Sequence, residues 1–351
     1  MPPPPIPIAT FMKQRWFLLF YISLAQFTHI IGQNFAPQSW LKHIADERPI
    51  ATLSLPGAHD AATGQGVCAP PGLGVTQSQS IAELWDCGIR VFDLRPALNK
   101  NSLHIYHGIL KTRTSFHAAI ETICSKLAQN PSEFAIVLLR EESETENEEE
   151  RRLWPHHIGN FIENLGNKAA HFSKDLILRD VRGKILFLTR TPYTGTTKGG
   201  YIKGWNHTDS GNNNAQIIAC DNSSKARLQV QDYYAPTNKD KRTAKLLCAT
   251  RYLNLAQSAP SDVWTINFIS GYATTWLQTG HFATSSGYKR HAAYIHPAIL
   301  KALTSSPSPS SCGIVMMDYA GADSVNGGIL HWQRFKTLGR QIVNAIIQKN
   351  F

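Results

Sequence analysis

The sequence lacks the patterns that would assign it to several common classes of protein. Its six cysteines include no CxxC or CxxH spacing, which argues against a zinc site. No run of lysine and arginine is interleaved with aromatic residues, so nucleic acid is not an expected partner. The net charge of +10 and the pI near 9.3 therefore favour a different anionic partner, such as a membrane surface.

The chain also has no long uninterrupted hydrophobic run. Residues 16–31 are mostly apolar, but polar side chains break the segment, and it is short for a bilayer span. Lys13 and Arg15 precede it, and Ser23-Leu24-Ala25 offers small residues for cleavage, as in a secretory signal peptide. We therefore predict that residues 1–32 form an N-terminal extension and signal peptide of a secreted protein. An uncleaved anchor is the alternative, and export would permit disulfides among the cysteines without requiring them.

Apolar segments of strand length alternate with segments of helical spacing along most of the chain. Nearly continuous apolar strands that alternate with helices are typical of a parallel sheet covered on both faces. With about eight such strands, we expect an α/β barrel that runs as a single domain through residues 38–351. The expected strands are residues 50–55, 90–94, 104–106, 134–139, 185–188, 216–219, 264–268 and 314–317. The expected helices are residues 38–44, 115–130, 241–255 and 329–348, and the acidic run 141–152 is interpreted as a solvated helix face.

Polar and charged side chains stand at the ends of five apolar segments. In a barrel, such side chains converge at the mouth formed by the carboxyl ends of the strands. The set supplies two histidines, which can take and give a proton near neutral pH, and arginines that can stabilise charge on phosphorus. These residue types suit the cleavage of a phosphate ester. The residues are His59, Asp60, Asp93, Arg95, His107, Arg190 and Asp318.

Three of these segments carry ordered motifs, Ser54-Leu-Pro-Gly-Ala-His-Asp60, Gly88-Ile-Arg-Val-Phe-Asp-Leu-Arg95 and His107-Gly108. The motifs resemble the X domain of phosphatidylinositol-specific phospholipases C in its small bacterial form. Further segments follow in the family's order as far as Met317-Asp-Tyr319, so the resemblance spans roughly residues 40–347. It implies a distorted TIM-like (β/α)8 barrel and a lyase that converts phosphatidylinositol into diacylglycerol and an inositol cyclic phosphate.

The resemblance also implies a role for each residue at the centre of the site. His59 matches the general base that takes the proton of the inositol 2-hydroxyl, and Asp318 matches the carboxylate that orients this base. His107 matches the general acid that protonates the diacylglycerol oxygen, with Asp60 as its partner. Arg95 matches the arginine that holds the phosphate.

Other positions match residues around the inositol ring and at the rim of the barrel. Asp93 matches a neighbouring carboxylate of the site, and Trp276 stands where a membrane-contacting tryptophan is expected, with a core aromatic as the alternative. Ala61 replaces a serine of the family pattern and Arg140 a lysine, which leaves the substrate preference open. The implied partner is phosphatidylinositol in anionic membranes, bound peripherally and reversibly by a monomer. The residues that match inositol binders are Arg140, Arg190, Asp232 and Tyr234.

One position bears on the use of a metal. Larger eukaryotic relatives place a second acidic residue two positions after the first, and the two bind calcium, whereas here Asp93 is followed by Arg95. A fixed guanidinium would repel a calcium ion, so we expect neither a metal nor another cofactor. Two alternatives stay open. One is another barrel phosphodiesterase, acting on glycerophosphodiesters or sphingolipids, and the other is an inactive X domain that only binds membranes or inositides.

Overall fold

The strands and helices of the computed structural model are built largely from the apolar segments of the sequence. The structure describes residues 35–68, 73–142, 146–205, 213–234, 239–273, 285–327 and 333–351. The strands are β1 (Leu55–Ala58), β2 (Val91–Leu94), β3 (Pro96–Asn99), β4 (Ser102–His107), β5 (Leu110–Ser115), β6 (Ala135–Leu139), β7 (Ile185–Thr189), β8 (Gly200–Lys203), β9 (Asn213–Ala219), β10 (Lys225–Gln231), β11 (Val263–Phe268), β12 (Ile314–Met317), β13 (Ser324–Gly327) and β14 (Gln333–Lys336). The helices are α1 (Ile81–Asp86), α2 (Phe116–Gln129), α3 (Glu148–Asn164), α4 (Leu178–Val181), α5 (Lys239–Gln257), α6 (Ser285–Ser305) and α7 (Gly339–Gln348). Short 3₁₀ helices span Pro37–His43, Ile50–Thr52, Ala61–Gln65 and Gly166–Lys168.

Nine strands close into a barrel in the order β1-β12-β11-β10-β9-β8-β7-β6-β2. Neighbouring strands are parallel except that β9 runs antiparallel to both β8 and β10. From Pro37 onward the chain forms one compact unit. The predicted class, a distorted TIM-like barrel in a single α/β domain, is confirmed, with nine strands instead of eight. The departure arises because β8, β9 and β10 follow one another with no helix between them in the described residues.

The first barrel strand begins later than the sequence pattern predicts. Residues 50–52 form a 3₁₀ turn, and β1 runs through Pro56 and Gly57, where the pattern indicates a stop. Proline is tolerated at position 56 because no ladder hydrogen bond requires its nitrogen. The N–H of Leu55 faces β12, so the backbone nitrogen of Pro56 faces β2, and β1 pairs with β2 only from Gly57 onward. A Cβ on Gly57 would lie 2.2 Å from Sδ of Met316, so a larger residue here would require this methionine side chain to move.

Two further predicted elements differ in the structure. Residues 104–106 are not in the barrel, because β4 belongs to a separate antiparallel sheet with β3 and β5. The helix expected from residue 329 begins only at Gly339. Residues 333–336 instead form β14, paired with β13, and the left-handed backbone of Leu338 (φ 52°) separates this strand from α7.

A buried ion pair joins two strands at the amino end of the barrel. Arg90 precedes β2 and Glu133 precedes β6, and Nη2 of the arginine lies 2.8 Å from Oε2 of the glutamate. Both side chains are fully buried. The guanidinium also stacks on the ring of Trp85, with Cζ 4.0 Å from the ring centroid. Because both charges are buried, loss of either partner would leave the other charge in the core without a counter-ion, which would destabilise the fold.

The structure also bears on the cysteines and on the membrane. All six cysteines are free thiols, and only Cys312 is buried. Among the helices that the structure describes, none is long and apolar enough to cross a bilayer. The predicted leader, residues 1–32, and the predicted rim residue Trp276 lie outside the described residues.

Candidate active site

The carboxyl ends of β1 and β12 place a histidine beside an aspartate. Ala58 of β1 lies opposite Met317 of β12, so the residues that follow them, His59 and Asp318, are neighbours. Nδ1 of His59 lies 2.7 Å from Oδ1 of Asp318, and Oδ2 of this aspartate accepts the N–H of Gly271 at 3.1 Å. Both side chains are buried. The carboxylate therefore fixes the imidazole and leaves its Nε2 for the interior of the site.

Arg95 occupies the centre of the site. It follows β2, and the residue is 7% exposed. Its Nε lies 2.8 Å from Oδ1 of Asp60, and its Nη2 lies 3.2 Å from Oδ2 of Asp93. The same Nη2 lies 2.8 Å from Nε2 of His59. A cation held by two carboxylates is thus placed directly against one imidazole.

His107 reaches the same place from outside the barrel. It ends β4 of the antiparallel sheet, so its predicted position at the end of a barrel strand is wrong. Its Nδ1 lies 2.7 Å from the carbonyl oxygen of Gly74, an acceptor, which places a proton on Nδ1. Its Nε2 lies 3.4 Å from Oδ2 of Asp60, and the same oxygen lies 3.3 Å from Nε2 of His59. The two imidazoles therefore point their Nε2 atoms at one carboxylate oxygen.

Burial and neighbouring charges set the protonation of these groups. Burial lowers the pKa of His59, but the carboxylates of Asp60 and Asp318 outweigh it and raise the pKa to about 9. Burial raises the pKa of Asp60, whereas Arg95 and His107 lower it, and the resulting pKa is about 2. The contact of Arg95 with Nε2 of His59 acts in the opposite direction to the carboxylates, because a guanidinium only donates and this nitrogen accepts only when neutral. The imidazole of His59 is thus held between partners that favour different protonation states.

Three side chains of the site are of types that can bind metals. Ligand atoms of His59, Asp60 and Asp93 lie within 4.8 Å of one another. Calcium requires a cage of oxygen ligands, whereas Arg95 already contacts all three of these residues. A divalent cation in this place would be repelled by the guanidinium at close range. The residues present therefore do not fit a calcium site.

Glu142 is a buried carboxylate that the sequence pattern does not reveal. The acidic run is expected to be solvated, yet this side chain is 2% exposed and the helix of the run begins only at Glu148. Oε2 of Glu142 lies 3.8 Å from Nη1 of Arg95, and Oε1 lies 3.8 Å from Nη2 of Arg140. Burial raises the pKa of Glu142, and the two arginines oppose this shift. The carboxylate thus links Arg140, which follows β6, to the centre of the site.

A second group of polar side chains surrounds Trp205. Arg190 follows β7 and Asp232 follows β10, and Nη1 of the arginine lies 3.6 Å from Oδ2 of the aspartate. The indole N–H of Trp205 donates to the same oxygen at 2.9 Å, and Cζ of Arg190 lies 4.2 Å from the centroid of its ring. Tyr234 is 41% exposed and meets Tyr272 edge-on, with ring centroids 5.9 Å apart. Charged hydrogen-bonding groups and an exposed aromatic ring are therefore available beside the central arginine.

The structure brings the predicted central residues into one network and places the predicted inositol-binding residues near them. The charges of Arg95 and Arg140 are close enough to affect the pKa of Arg190. The charges of Arg95 and Asp60 likewise affect the pKa of Tyr234. Several contacting side chains have no signal in the sequence, because they lie in loops or in helices. An example is the buried Gln77, which donates to the carbonyl oxygens of both His59 and Met317 and so ties the ends of β1 and β12 together. The contacting residues that sequence reasoning misses are Gln77, Glu142, Trp205 and Tyr288.

Two imidazoles that share a carboxylate beside a buried guanidinium suit a barrel protein that performs acid–base chemistry on a phosphate ester. Residues 72–191 match the sequence profile of the family "Phosphatidylinositol-specific phospholipase C, X domain". Over these residues the match agrees with the resemblance that the motifs predict.

Individual proteins are similar over longer parts of the chain. The 1-phosphatidylinositol phosphodiesterase of Listeria monocytogenes is 30% identical over 174 residues, which cover 48% of this chain and 53% of that protein. The match thus spans about half the length of this curated relative. The structure of the phosphatidylinositol-specific phospholipase C from the same organism shares the fold, with a TM-score of 0.63 and 21% identity over 90% of this chain and 100% of the other. A Staphylococcus aureus phosphatidylinositol-specific phospholipase C, in a structure concerned with its membrane binding, gives a TM-score of 0.66 and 18% identity over 88% of this chain and 97% of the other.

Proposed function

We propose that this protein is a phosphatidylinositol-specific phospholipase C that works as a lyase without a metal. One observation carries the proposal. Oδ2 of Asp60 lies 3.3 Å from Nε2 of His59 and 3.4 Å from Nε2 of His107, so two proton-transferring nitrogens converge on one point beside Arg95. A base and an acid on either side of a cationic group are what an in-line displacement at phosphorus requires.

The cleavage step uses the two histidines in opposite senses. Nε2 of His59 takes the proton of the inositol 2-hydroxyl, and that oxygen attacks phosphorus. The bond from phosphorus to the glycerol oxygen breaks, and His107 gives this oxygen its Nε2 proton, which releases diacylglycerol. Arg95 stabilises the charge on the phosphate oxygens. Because the attacking hydroxyl belongs to the same molecule as the phosphate, no separate nucleophile is needed, and the product is an inositol cyclic phosphate.

The surrounding residues supply recognition of the headgroup. Arg140, Arg190 and Asp232 offer hydrogen bonds to inositol hydroxyls, and the exposed ring of Tyr234 offers a face for the sugar ring. Asp93 lies 3.2 Å from Nη2 of Arg95 and helps to keep the charge of this guanidinium in place. The guanidinium in turn supplies the positive charge that calcium supplies in the eukaryotic relatives.

The protein is proposed to act at membrane surfaces as a secreted monomer. Its net charge of +10 favours anionic lipid, and binding should be peripheral and reversible. Trp276 is proposed as a rim contact with the bilayer. A second apolar contact comes from Ile109, which is 57% exposed in the turn between β4 and β5, two residues after His107. Since His107 serves the diacylglycerol side of the substrate, its turn should face the lipid.

A substrate panel tests the proposed function. The purified protein should cleave phosphatidylinositol but neither phosphatidylcholine nor sphingomyelin, and excess chelator should not change the rate. His59→Ala and His107→Ala should each lower turnover by about a hundredfold or more, because general acid and base catalysis contribute about 10²–10⁴-fold each. Cleavage of choline lipids would favour another barrel phosphodiesterase. Binding of inositides without cleavage would favour an inactive X domain.

A further inference from the structure

The barrel strands do not by themselves hold the imidazole of His107 in place. His59 is fixed by two paired barrel strands, whereas His107 belongs to a three-stranded sheet that is not hydrogen-bonded to any barrel strand in the described residues. An imidazole that delivers a proton must be held to within a fraction of an ångström of its acceptor. The groups that hold its ring therefore bear directly on the rate.

A tyrosine from a distant part of the chain contacts the nitrogen that would donate the proton. The hydroxyl of Tyr288, in the first turn of α6, lies 3.2 Å from Nε2 of His107, and the two ring centroids are 5.7 Å apart. Tyr288 is 2% exposed. Its ring packs in a buried hydrophobic cluster with Tyr319, Val325 and Phe335, and this packing restricts its movement.

The hydroxyl of Tyr288 and the carboxylate of Asp60, which both lie near Nε2, differ in whether they can donate a hydrogen bond. Because Nδ1 donates to the carbonyl of Gly74, Nε2 is a donor when His107 is charged and an acceptor after it has given up its proton. The carboxylate of Asp60 can only accept, so it bonds only the charged ring. A phenol both donates and accepts, and burial raises the pKa of Tyr288 well above its usual value, which keeps the phenol protonated. Tyr288 can therefore hold the ring before and after proton transfer.

We propose that Tyr288 is a positioning residue for His107: its hydroxyl holds Nε2 of the general acid before the proton moves to the leaving oxygen and again after the transfer. This inference rests on the proposed function. It predicts a defect confined to the step in which His107 protonates the leaving group, and not a general weakening of the fold or of substrate binding.

Tyr288→Phe tests the proposal because it removes the hydroxyl and keeps the packed ring. On a soluble inositol phosphodiester with an alkyl leaving group, kcat should fall about tenfold and KM should change by less than about twofold, the scale expected for one hydrogen bond that orients a reacting group. With a nitrophenyl leaving group, which departs without a proton, the loss in kcat should shrink to less than about twofold. Tyr294→Phe is the matched control, because Tyr294 lies on the same helix, is 37% exposed and has its hydroxyl near Thr243. This control should match the wild type on both substrates.

The outcomes separate this inference from the proposed function. A wild-type protein that cleaves neither substrate would contradict the proposed function itself. If the wild type is active and Tyr288→Phe equals it, or loses the same factor on both leaving groups, the positioning role is wrong. In a His107→Ala background, Tyr288→Phe should cause no further loss on the alkyl substrate. A further loss there would show that the hydroxyl acts independently of His107 and would overturn the proposal.

Discussion

Nε2 of His59 lies 2.8 Å from a terminal nitrogen of Arg95. Under the proposed function, the nitrogen that must accept the substrate proton is bonded, in the free protein, to the group that must bind the phosphate. Phosphate oxygens are stronger acceptors for a guanidinium than a neutral imidazole is. Binding of the phosphate would therefore draw the guanidinium away from Nε2 and free the base where the inositol hydroxyl arrives.

The pH dependence of the reaction follows from the same contacts. The base must be neutral to act, and the carboxylates of Asp60 and Asp318 raise the pKa of His59 to about 9. We therefore expect kcat/KM on a nitrophenyl inositol phosphodiester, whose leaving group needs no proton from His107, to rise with pH up to about 9. Asp318→Asn removes one of the carboxylates, so it should move this limb to lower pH while it also lowers turnover. An unchanged limb in Asp318→Asn would contradict the assignment of the limb to His59.

The raised pKa of His59 should also make the stability of the fold depend on pH, which can be measured without substrate. The pKa of His59 is higher in the folded protein than the model-peptide value of 6.5. Its contribution to the free energy of unfolding is therefore fully present below about pH 6.5 and is lost as the pH rises through about 9. Urea unfolding at several pH values should show this loss, and His59→Gln should make the curve flatter over this range.

The metal question can be tested by exchanging one charge. Arg95→Asp should lose activity in plain buffer, because the cation beside the phosphate is replaced by a third carboxylate next to Asp60 and Asp93. Added calcium should restore part of the activity of this variant. Arg95→Leu is the control, since it loses the cation without gaining a ligand and should not respond to calcium. Wild-type activity that is abolished by a chelator and restored by calcium would overturn the metal-independent mechanism.

The buried ion pair at the amino end of the barrel should matter for stability and not for chemistry. Glu133→Gln leaves the charge of Arg90 buried without a counter-ion, so the free energy of unfolding should fall by about 3–5 kcal/mol. Asp86→Asn is the matched control, because its ion pair with Lys126, at 2.7 Å, lies at the surface and should contribute less than about 1 kcal/mol. Denaturant unfolding measures both changes, and equal losses would refute the distinction. Turnover per folded molecule should be unchanged in Glu133→Gln.

The sequence predicts the residues at the ends of barrel strands well because their position follows from one rule. Arg190 and Asp318 each follow an apolar strand directly, so a parallel barrel brings them to one mouth. His107 is found by its motif, but its antiparallel sheet is not predicted, since a short alternating segment does not reveal which strands it pairs with. The strand β8 is also missed, because four residues with a glycine and a lysine carry too weak a pattern.

The sequence does not predict side chains that support the site but stand in segments with another interpretation, such as an acidic run or a helix. Glu142 stands in an acidic run, and composition alone indicates a solvated face. Only the packing of the loop after β6 against Arg95 shows that this one carboxylate is buried. Tyr288 belongs to a helix more than 180 residues from His107, and nothing local indicates their contact.

Membrane docking can be separated from chemistry by comparing exposed apolar residues. Ile109→Ser and Trp276→Ala should each lower activity on phosphatidylinositol vesicles several-fold and leave activity on a soluble substrate unchanged, because only the vesicle reaction needs the rim. Leu247→Ser is the control, since Leu247 is 67% exposed on α5 and is not placed at the rim. Vesicle binding should weaken as salt rises. Equal losses on both substrates would place the substituted residue in the folded core instead.

The identity of the first phosphorus-containing product tests the central claim most directly. Phosphorus NMR during cleavage of phosphatidylinositol in the presence of chelator should show a five-membered inositol cyclic phosphate before any monoester, formed in step with diacylglycerol. A 2-deoxyinositol analogue should not be cleaved, because it lacks the hydroxyl whose proton His59 takes. Direct release of inositol monophosphate carrying oxygen from solvent water, or cleavage of the 2-deoxy analogue, would contradict intramolecular attack and with it the proposed roles of both histidines.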